Sequence, residues 1–379
     1  MSISLKETIE SYNALAPLAE AYTIPAGWYV TQEVYDLEQR TVFAGSWLMV
    51  GRADQVRAPG QYIACEVAGE PILVIRGGDG VLRGFYNVCR HHAAAVVTEP
   101  HGVVGHLRCP YHGWTYTIEG QLKGATDLAG ICNFDRTAMG LVPVETAVWE
   151  GWVFARVASG GPGLEHYLGV GLVEQLQSLG LQELYWIERR NYTLNCYWKV
   201  FVDNYLDGGY HVPHLHKGLD SVLNYSQYAI ELGDRFCLQW SPMTSDGAEA
   251  QTGAVRKGSR ALYYWIYPNL MINWYQCMMD TNVVCPRGVD STEVIFDFYF
   301  ADVSGPAQEH NLESIKVSDR IQNEDVAICE SVQRRLKSRA YEAGRLSVRR
   351  EAGEHLFHKL LYADLKSGLE GQEVGRLEG

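Results

Sequence analysis

Two short motifs combine cysteine and histidine in a pattern typical of metal ligands. "CRHH" contains Cys89 and His91, and "CPYHGW" contains Cys109 and His112, so each motif offers one thiolate and one imidazole. With 17 residues between the pairs, two hairpin tips could each present one pair. A Rieske-type [2Fe–2S] cluster needs two thiolates on one iron and two neutral imidazoles on the other. These four residues are therefore predicted to hold such a cluster.

A zinc site is the structural alternative for the same four residues, since zinc also binds two sulfurs and two nitrogens in a tetrahedron. Zinc fingers place both cysteines in one pair and both histidines in the other, whereas each pair here is mixed. The Pro and Gly of "CPYHGW" also suit a tight loop. The mixed pairs favour the cluster. His92, His101 and His106 are interpreted as ordinary loop histidines.

A second constellation lies in "DNYLDGGYHVPHLH", residues 203–216. On a regular helix His211 and His214 would share a face, while His211 and His216 would not. Pro213 interrupts helical hydrogen bonding, so a kinked segment could bring His211 and His216 to one metal ion. The spacing alone leaves His214 and His216 open as the second ligand.

A carboxylate should complete this site, because two histidines and one carboxylate leave open positions for oxygen and substrate at a ferrous ion. In "RIQNEDVAICESVQRRL", four apolar residues fall on one helical stripe: Ile321, Ile328, Val332 and Leu336. Asp325 lies near its centre, and Glu324 and Glu330 lie off it. Burying a carboxylate is costly unless it is paired or binds a metal. Asp325 is therefore predicted as the third ligand, with an arginine-paired or capping aspartate as the alternative.

The elements that position these motifs follow from composition and pattern. A chain of 379 residues, 47% hydrophobic, can bury a large core and form two or three domains. The Gly- and Pro-rich stretch "ASGGPGLEH" at 158–166 predicts a boundary. Before it, "GQYIACEVAGEPILVIRGGDGVLRGFYNVC" has the alternation of three short strands. The cluster motifs are therefore expected in a β-rich domain, 45–157.

The remaining chain, 158–379, is predicted to form a second domain. Its β-branched and aromatic runs indicate a large antiparallel sheet, and the longest are "LYWIERRNYTLNCYWKVFVDNYL", "ALYYWIYPNLMINWYQCMMD" and "STEVIFDFYFADV". A helix is expected from about 306 to 338. The fold class is thus α+β, and the pattern leaves the opening 44 residues unassigned.

Charge and cysteine usage restrict partners and compartment. The net charge of −13 repels phosphate backbones, so nucleic acid is not expected as a ligand, whereas cationic small molecules are weakly favoured. Nine cysteines, an odd number, favour a reducing cytoplasm over a secreted disulfide scaffold. The sequence contains no long apolar run, so a membrane-spanning helix is not expected. The acidic start is unlike a signal or transit peptide.

From about residue 25 to 365 the chain resembles the large (alpha) subunit of the Rieske non-haem iron oxygenases. "CRHH" with "CPYHGW" is similar to their cluster motif and "DNYLDGGYHVPHLH" to their iron motif, which implies His211 and His216 as ligands with Asp325 as the third. The resemblance also implies a Rieske domain, a helix-grip catalytic domain that includes 1–44, and a homotrimer.

In that family a carboxylate connects the cluster of one subunit to the iron of its neighbour. The commoner position for this acid, three residues before the first iron histidine, is Gly208 here. The resemblance therefore implies Asp207 as the bridge, with Asp203 as the fallback. Asn204 matches an asparagine near the iron, and a capping role is its alternative.

Electrons must come from another protein. The chain has no G-x-G-x-x-G between a strand and a helix and no further cysteine cluster, so it is not expected to take electrons from NADH itself. A ferredoxin or an NAD(P)H-dependent reductase is the predicted donor. A chain that only carries electrons on a Rieske cluster is the alternative from another functional class.

The predicted substrate is a small methylated or quaternary amine. "YPNLMINWY" and "EDVAICESVQRRL" are most similar to choline monooxygenases, a branch of that family. Tyr263, Trp265 and Tyr267 are two residues apart and therefore lie on one face of a predicted strand. Together with Trp274 on the next strand, they could form an aromatic box for a quaternary ammonium group. The structural alternative to substrate binding is that these aromatic side chains only fill the core of the sheet. Hydroxylation of an aromatic ring is the second candidate activity.

Overall fold

The computed structural model describes residues 4–243 and 258–377, with side chains up to residue 371. The chain forms two compact units, Phe43–Tyr167 and Met1–Val42 with Leu168–Gly379. The sequence-based boundaries were 44/45 and 157/158. Residues 158–167 lie with the first unit because Pro162 O accepts hydrogen bonds from Trp47 Nε1 (3.0 Å) and Arg156 Nη1 (2.7 Å).

The unit Phe43–Tyr167 is built from ten short strands. They are β1 Leu48–Arg52, β2 Gln61–Val67, β3 Glu70–Arg76, β4 Leu82–Tyr86, β5 His101–Val103, β6 Leu107–Arg108, β7 Thr115–Tyr116, β8 Leu122–Gly124, β9 Pro143–Trp149 and β10 Trp152–Arg156. Seven form one sheet in the order β1-β10-β9-β4-β3-β2-β5, and β6-β7-β8 form a second sheet. The three strands predicted from alternation correspond to β2, β3 and β4.

The unit of Met1–Val42 and Leu168–Gly379 contains, in its described residues, a seven-stranded antiparallel sheet in the order β11-β17-β16-β15-β14-β13-β12. Its strands are β11 Tyr185–Leu194, β12 Ala229–Leu232, β13 Phe236–Pro242, β14 Arg260–Ile266, β15 Leu270–Trp274, β16 Met278–Gly288 and β17 Ser291–Phe300. The aromatic runs of the sequence therefore form neighbouring strands.

Helices complete the structure, and the predicted iron ligands lie in them or at their ends. They are α1 Leu5–Glu10, α2 Gln32–Glu38, α3 Leu164–Leu168, α4 Val170–Gln177, α5 Trp198–Leu206, α6 Val212–Leu215, α7 Lys217–Asp220, α8 Gln308–Leu336 and α9 Ala352–Leu377. This mixture of antiparallel sheets and helices confirms the predicted α+β class. Among the described residues, no helix has the length and apolar character needed to cross a membrane.

A buried ion pair fixes α2 against α5. Lys199 and Glu38 form a salt bridge with both side chains fully buried. Glu38 also accepts hydrogen bonds from Tyr197 Oη (2.5 Å) and Trp198 Nε1 (2.8 Å), which offset the desolvation of its charge. Removing one partner of such a pair costs about 3–5 kcal/mol. The pair therefore holds the helix that carries Asn204.

The buried face of α8 differs from the predicted apolar stripe. Ile328 and Val332 are 39% and 42% exposed, whereas Gln322 and Gln333 are buried. Gln333 accepts a hydrogen bond from Tyr197 N (3.0 Å) and donates to a backbone carbonyl, which satisfies its amide. These hydrogen bonds stabilise a polar side chain on the inward face of α8. The stripe prediction is wrong for Ile328 and Val332.

Candidate metal centres and substrate cavity

Two loops of the same shape carry the Cys–His motifs. In each loop the cysteine N–H donates to the carbonyl five residues later, at 2.8 Å in both cases. The fourth residue after the cysteine, Ala93 or Gly113, donates back to the cysteine carbonyl and has a positive φ of 59° or 74°. Glycine adopts this conformation freely, and alanine does so at a cost of about 1 kcal/mol. The sheet β6-β7-β8 supports the loop of Cys109.

The four predicted cluster ligands lie on these loops, with both cysteines buried and both histidines exposed to solvent. Cys89 and Cys109 are each 2% exposed and belong to the hydrophobic core of their unit. His91 and His112 are exposed, and their ring centroids are 4.7 Å apart. The donor set fits a Rieske cluster because the sulfurs are shielded from water while the imidazoles reach the surface. Their role as ligands stays a prediction.

The imidazole of His91 stacks on Trp114, with centroids 4.7 Å apart and an interplanar angle of 5°. Desolvation lowers the pKa of His91, and the neighbouring His92 and His112 lower it further. A lowered pKa favours the neutral imidazole, which is the form that binds iron.

Tyr116, on β7, contacts the sulfur of Cys89. Its hydroxyl lies 3.3 Å from Cys89 Sγ and accepts a hydrogen bond from Arg90 N at 3.0 Å. Because the backbone N–H must donate, the hydroxyl hydrogen remains for the sulfur, which is a thiolate when it binds iron. Tyr116 is fully buried. Sequence reasoning missed this residue, and its only signal was its position two residues after Trp114.

The second constellation converges on one point. The ligand atoms of His211, His216 and Asp325 lie within 4.8 Å of one another. Asp325 Oδ1 is 3.0 Å from His216 Nε2 and 3.9 Å from His211 Nε2. Two imidazoles and one carboxylate on one side of the site fit the ferrous ligand set. His214, the alternative that spacing left open, is exposed.

A separate carboxylate orients each histidine. Asp207 Oδ2 is 2.6 Å from His211 Nδ1, and Glu324 Oε2 is 2.6 Å from His216 Nδ1. Since a carboxylate only accepts, each Nδ1 carries the hydrogen and each Nε2 presents its lone pair toward Asp325. Sequence reasoning assigned Asp207 but placed Glu324 off the functional face. Its signal was adjacency to Asp325.

Asn204 contacts the third ligand directly. Its Nδ2 donates to Asp325 Oδ1 at 2.8 Å. Burial lowers the pKa of His216, but Asp325 and Glu324 outweigh it and raise that pKa overall. These acids thus favour a positive charge at the site, either a proton or a metal ion.

The structure explains why no acid stands three residues before His211. Gly208 has a φ of +67°, and a Cβ there would lie 2.1 Å from the carbonyl oxygen of Arg350. Only glycine fits this close approach. Arg350 Nη1 donates to Gly208 O at 3.3 Å, which holds the two segments together. The orienting carboxylate therefore comes from the preceding residue, Asp207.

A cavity of about 110 Å³ opens beside the three predicted iron ligands. One row of register partners crosses four strands and lines it: Gln239, Tyr263, Asn273 and Asp280. Tyr205, Tyr228, Tyr275, Phe201 and Phe296 supply further aromatic walls. Asp280 is 3% exposed and accepts hydrogen bonds from Asn273 (2.7 Å) and Asn282 (2.8 Å). The cavity therefore combines aromatic faces with a buried carboxylate.

Known proteins match both halves of the chain. The model of the Rieske [2Fe-2S] domain matches residues 46–135, and the model of the ring hydroxylating alpha subunit (catalytic domain) matches 181–366. Chloroplastic choline monooxygenase of Arabidopsis thaliana is 39% identical over 96% of this chain and 87% of its own length. The chain belongs to the Rieske oxygenase alpha subunits.

Two further relatives show how far this similarity extends. The carnitine monooxygenase oxygenase subunit of Escherichia coli (strain K12) is 30% identical over 92% of this chain and 95% of its own length. The crystal structure of a quaternary ammonium Rieske monooxygenase in complex with L-carnitine is 28% identical, covering 94% of this chain and 98% of that one with a TM-score of 0.80.

These findings confirm the predicted family and enzyme class. As a Rieske oxygenase alpha subunit, the chain uses a Rieske [2Fe–2S] cluster and a mononuclear iron, and it depends on electron transfer. The catalytic-domain match excludes a protein consisting of a Rieske domain alone.

The Rieske oxygenase brings only one of the four aromatics predicted to bind substrate into its cavity, Tyr263. Trp265 lies on the same face of β14 as Tyr263 but two residues further along the strand. It is fully buried, and its ring centroid is 5.3 Å from that of Phe357 in α9. Tyr267 lies past the end of β14 and donates to Asp364 at 2.7 Å. Tyr275 lines the cavity, and Trp274, its neighbour, does not. Strand alternation identified the faces but not the depth of each residue.

Proposed function

We propose that this Rieske oxygenase is the terminal component that hydroxylates a small quaternary ammonium compound of the choline type, with dioxygen and externally supplied electrons. The observation that carries this is a cavity beside the iron ligands whose walls join several aromatic rings to one buried carboxylate. The choline and carnitine monooxygenases among the relatives support the same substrate class.

The tyrosines form a cage suited to a methylated cation. Tyr228 and Tyr263 are nearly parallel, with centroids 6.5 Å apart, and Tyr275 stands edge-on to Tyr263 at 5.9 Å. Burial raises the pKa of Tyr228 and Tyr205 well above 10, so both stay neutral phenols. A trimethylammonium group cannot donate a strong hydrogen bond, so aromatic faces are its natural contacts.

Asp280 supplies the complementary charge. Its side chain lines the cavity, and the lining residues of the described chain include no lysine or arginine. Asp280 has 3% exposure, and Asn273 and Asn282 donate hydrogen bonds to its carboxylate. A buried carboxylate requires compensation of its charge. A cationic substrate would neutralise it in a medium of low dielectric constant. A cavity of about 110 Å³ also favours a small molecule.

The residues of the site divide the remaining work. His211, His216 and Asp325 would hold the iron, which together with the cluster supplies electrons to dioxygen. Asp207 and Glu324 fix the tautomers of the two imidazoles. The tyrosine cage and Asp280 would orient the ammonium end, so that the carbon to be hydroxylated faces the iron ligands.

We assign the bridge between the two kinds of metal centre to Asp207. Its carboxylate contacts His211 Nδ1, whereas Asp203 accepts from Tyr29 Oη (2.5 Å) and from His358 Nε2 (3.0 Å). Inter-subunit electron transfer is described for a quaternary ammonium Rieske monooxygenase of known structure that is 27% identical to this chain. A homotrimer that receives electrons from a ferredoxin or an NAD(P)H-dependent reductase is the assembly we propose.

The proposed compartment is a reducing cytoplasm. All nine cysteines lie in the described residues and are free of disulfide bonds. Thiols that hold a cluster are preserved where the redox poise keeps cysteine reduced.

A labelling experiment tests the substrate class. The reduced holoenzyme is incubated with labelled dioxygen and either choline or 3,3-dimethylbutanol, its neutral carbon isostere. We expect label in the choline product and little in the isostere product. Asp280→Asn should raise KM for choline about 10- to 100-fold, because one buried charge–charge contact is lost, while exposed Asp234→Asn should not. Label in an aromatic acid and none in any quaternary amine would refute the proposal.

A further inference from the structure

A second cavity of about 190 Å³ is lined by Val200, Asp203 and Asn204 of α5, on the face next to the one that lines the substrate cavity. Exposed Val332 and Tyr341 are at its rim, and Asp203 and Glu354 line its polar end. Asn204 lines both cavities. A space of this volume with polar groups can hold several water molecules. The second cavity therefore connects the protein surface with the side chain that contacts Asp325.

Buried titratable groups surround the polar end of the second cavity. Asp203 accepts hydrogen bonds from Tyr29 Oη at 2.5 Å and from His358 Nε2 at 3.0 Å. Glu354 Oε1 is 3.8 Å from His358 Nε2, and the two side chains are 7% and 0% exposed. These groups lie outside the iron ligand set, and no step described above uses them.

Negative charge dominates the surroundings of Glu354. Burial raises the pKa of its carboxyl well above the ordinary value, and Asp203, Glu351 and Asp207 raise it further. Tyr12 and Tyr29 also face this group as neutral phenols, because burial raises their pKa values and the neighbouring acidic groups raise them further.

Positive charge near Glu354 is limited. His358 Nε2 lies 3.8 Å from Glu354 Oε1, and Lys199, which faces Asp203, forms its salt bridge with Glu38. Burial and the neighbouring acidic side chains therefore both favour the protonated carboxyl of Glu354.

The proposed reaction consumes protons. One C–H bond of the substrate, one dioxygen, two electrons and two protons give one C–OH and one water. The titratable groups in the substrate cavity are the predicted iron ligands, Asp280 and four tyrosines, of which Tyr205 and Tyr228 have pKa values raised by burial. None of these can release a proton without disturbing the metal or the cation site.

We propose that Glu354 holds a proton for this reaction and releases it through water in the second cavity toward Asn204 and the substrate cavity. The proton leaves the Glu354 carboxyl, ends in the water product, and is replaced from solvent at the rim near Val332 and Tyr341. Two such cycles supply both protons of one turnover. The inference rests on the proposed function, since it takes its proton demand from that reaction.

Infrared spectroscopy tests whether the proton is present, without any turnover. The wild-type holoenzyme should show the carbonyl band of a protonated, buried carboxyl near neutral pH. Glu354→Gln should lack this band, and Glu354→Asp should shift it. Exposed Glu370→Gln, on the same helix, is the matched control and should leave the band in place. Absence of the band from the wild type would overturn the proposal.

Turnover tests whether the proton is used. Glu354→Gln should lower kcat at least tenfold with KM unchanged, and it should enlarge the solvent deuterium isotope effect on kcat. Glu354→Asp should restore most of the rate, and Glu370→Gln should match the wild type. Val332→Trp narrows the rim without touching the buried groups and should also enlarge the isotope effect, so the test does not depend on how well Glu354→Gln folds.

Three results distinguish the possibilities. If the wild type oxygenates choline and Glu354→Gln and Val332→Trp match it, this proposal falls and the proposed function stands. If the wild type oxygenates no quaternary amine, the proposed function falls, and with it the destination of the proton. A further metal ion bound by the wild type and lost in Glu354→Gln would show that Asp203, Glu354 and His358 form a metal site, which would also overturn the proposal.

Discussion

Glu324 Oε2 lies 2.6 Å from Nδ1 of His216, so consecutive carboxylates of α8 contact opposite nitrogens of one buried imidazole. Asp325 lies on the Nε2 side of the His216 ring, at the predicted iron position, and Glu324 accepts a hydrogen bond from Nδ1 on the opposite side. This arrangement fixes the orientation of a ligand whose side chain is 1% exposed. Two adjacent residues thereby have different roles at one metal site.

Glu324→Gln should weaken iron binding about 10- to 100-fold, because the amide accepts a weaker hydrogen bond from His216 Nδ1. The measurement is competition for ferrous ion with a calibrated chelator. Glu309→Gln changes an exposed residue of the same helix and should leave iron binding unchanged. Equal affinities in wild type and Glu324→Gln would contradict the role given to Glu324.

Alanine at His211, His216 or Asp325 should remove the mononuclear iron and abolish turnover, since each change removes one of three ligands. Metal analysis should show the loss of one iron per chain, while the visible spectrum of the cluster is retained. His214→Ala, which alters an exposed neighbour, should keep both centres. A lost cluster spectrum in the first three variants would place these residues at the cluster or in its folding.

Tyr116→Phe should lower the reduction potential of the cluster, because the hydroxyl hydrogen bond stabilises extra negative charge on Cys89 Sγ. A hydrogen bond of about 1 kcal/mol corresponds to roughly 40 mV for one electron. Redox titration of the visible spectrum measures the shift. As a control, Tyr86→Phe on β4 should leave the reduction potential unchanged. An unchanged potential in Tyr116→Phe would contradict a hydrogen bond from Tyr116 to Cys89 Sγ.

Tyr267→Phe should lower the free energy of unfolding by about 1–2 kcal/mol and leave KM unchanged, because its hydroxyl binds Asp364 instead of lining the cavity. Tyr263→Leu should show the reverse, a raised KM with a smaller effect on folding. Chemical unfolding and steady-state kinetics on both variants separate these effects. A raised KM in Tyr267→Phe at unchanged stability would favour the substrate contact that the sequence suggested.

Glu354→Gln should make the chain more stable relative to wild type as pH rises. Below about pH 4 both the folded and the unfolded wild type hold this proton. As pH rises, the unfolded state releases it while the raised pKa keeps it in the folded state, so the wild type loses stability. Urea unfolding from about pH 5 to about pH 8 measures the difference. A difference that shrinks with pH would contradict the raised pKa.

The fold class, the family and the chemistry of both metal motifs could be predicted from the order of the amino acids. Local spacing was sufficient to pair Cys89 with His91 and Cys109 with His112 on two loops, because each loop is closed by short-range hydrogen bonds. The family resemblance, and not spacing, pointed to Asp207, which lies 2.6 Å from His211 Nδ1.

The contacts between distant segments could be identified only in the folded chain. Whether Asp325 alone or also Glu324 reaches His216 depends on how α8 packs, and its inward face includes buried glutamines as well as apolar residues. Likewise, the row from Gln239 to Asp280 exists because the register of four strands aligns residues 41 positions apart in the chain. Alternation specifies a face, whereas register and helix packing specify position along it, because they arise from contacts that no local pattern encodes.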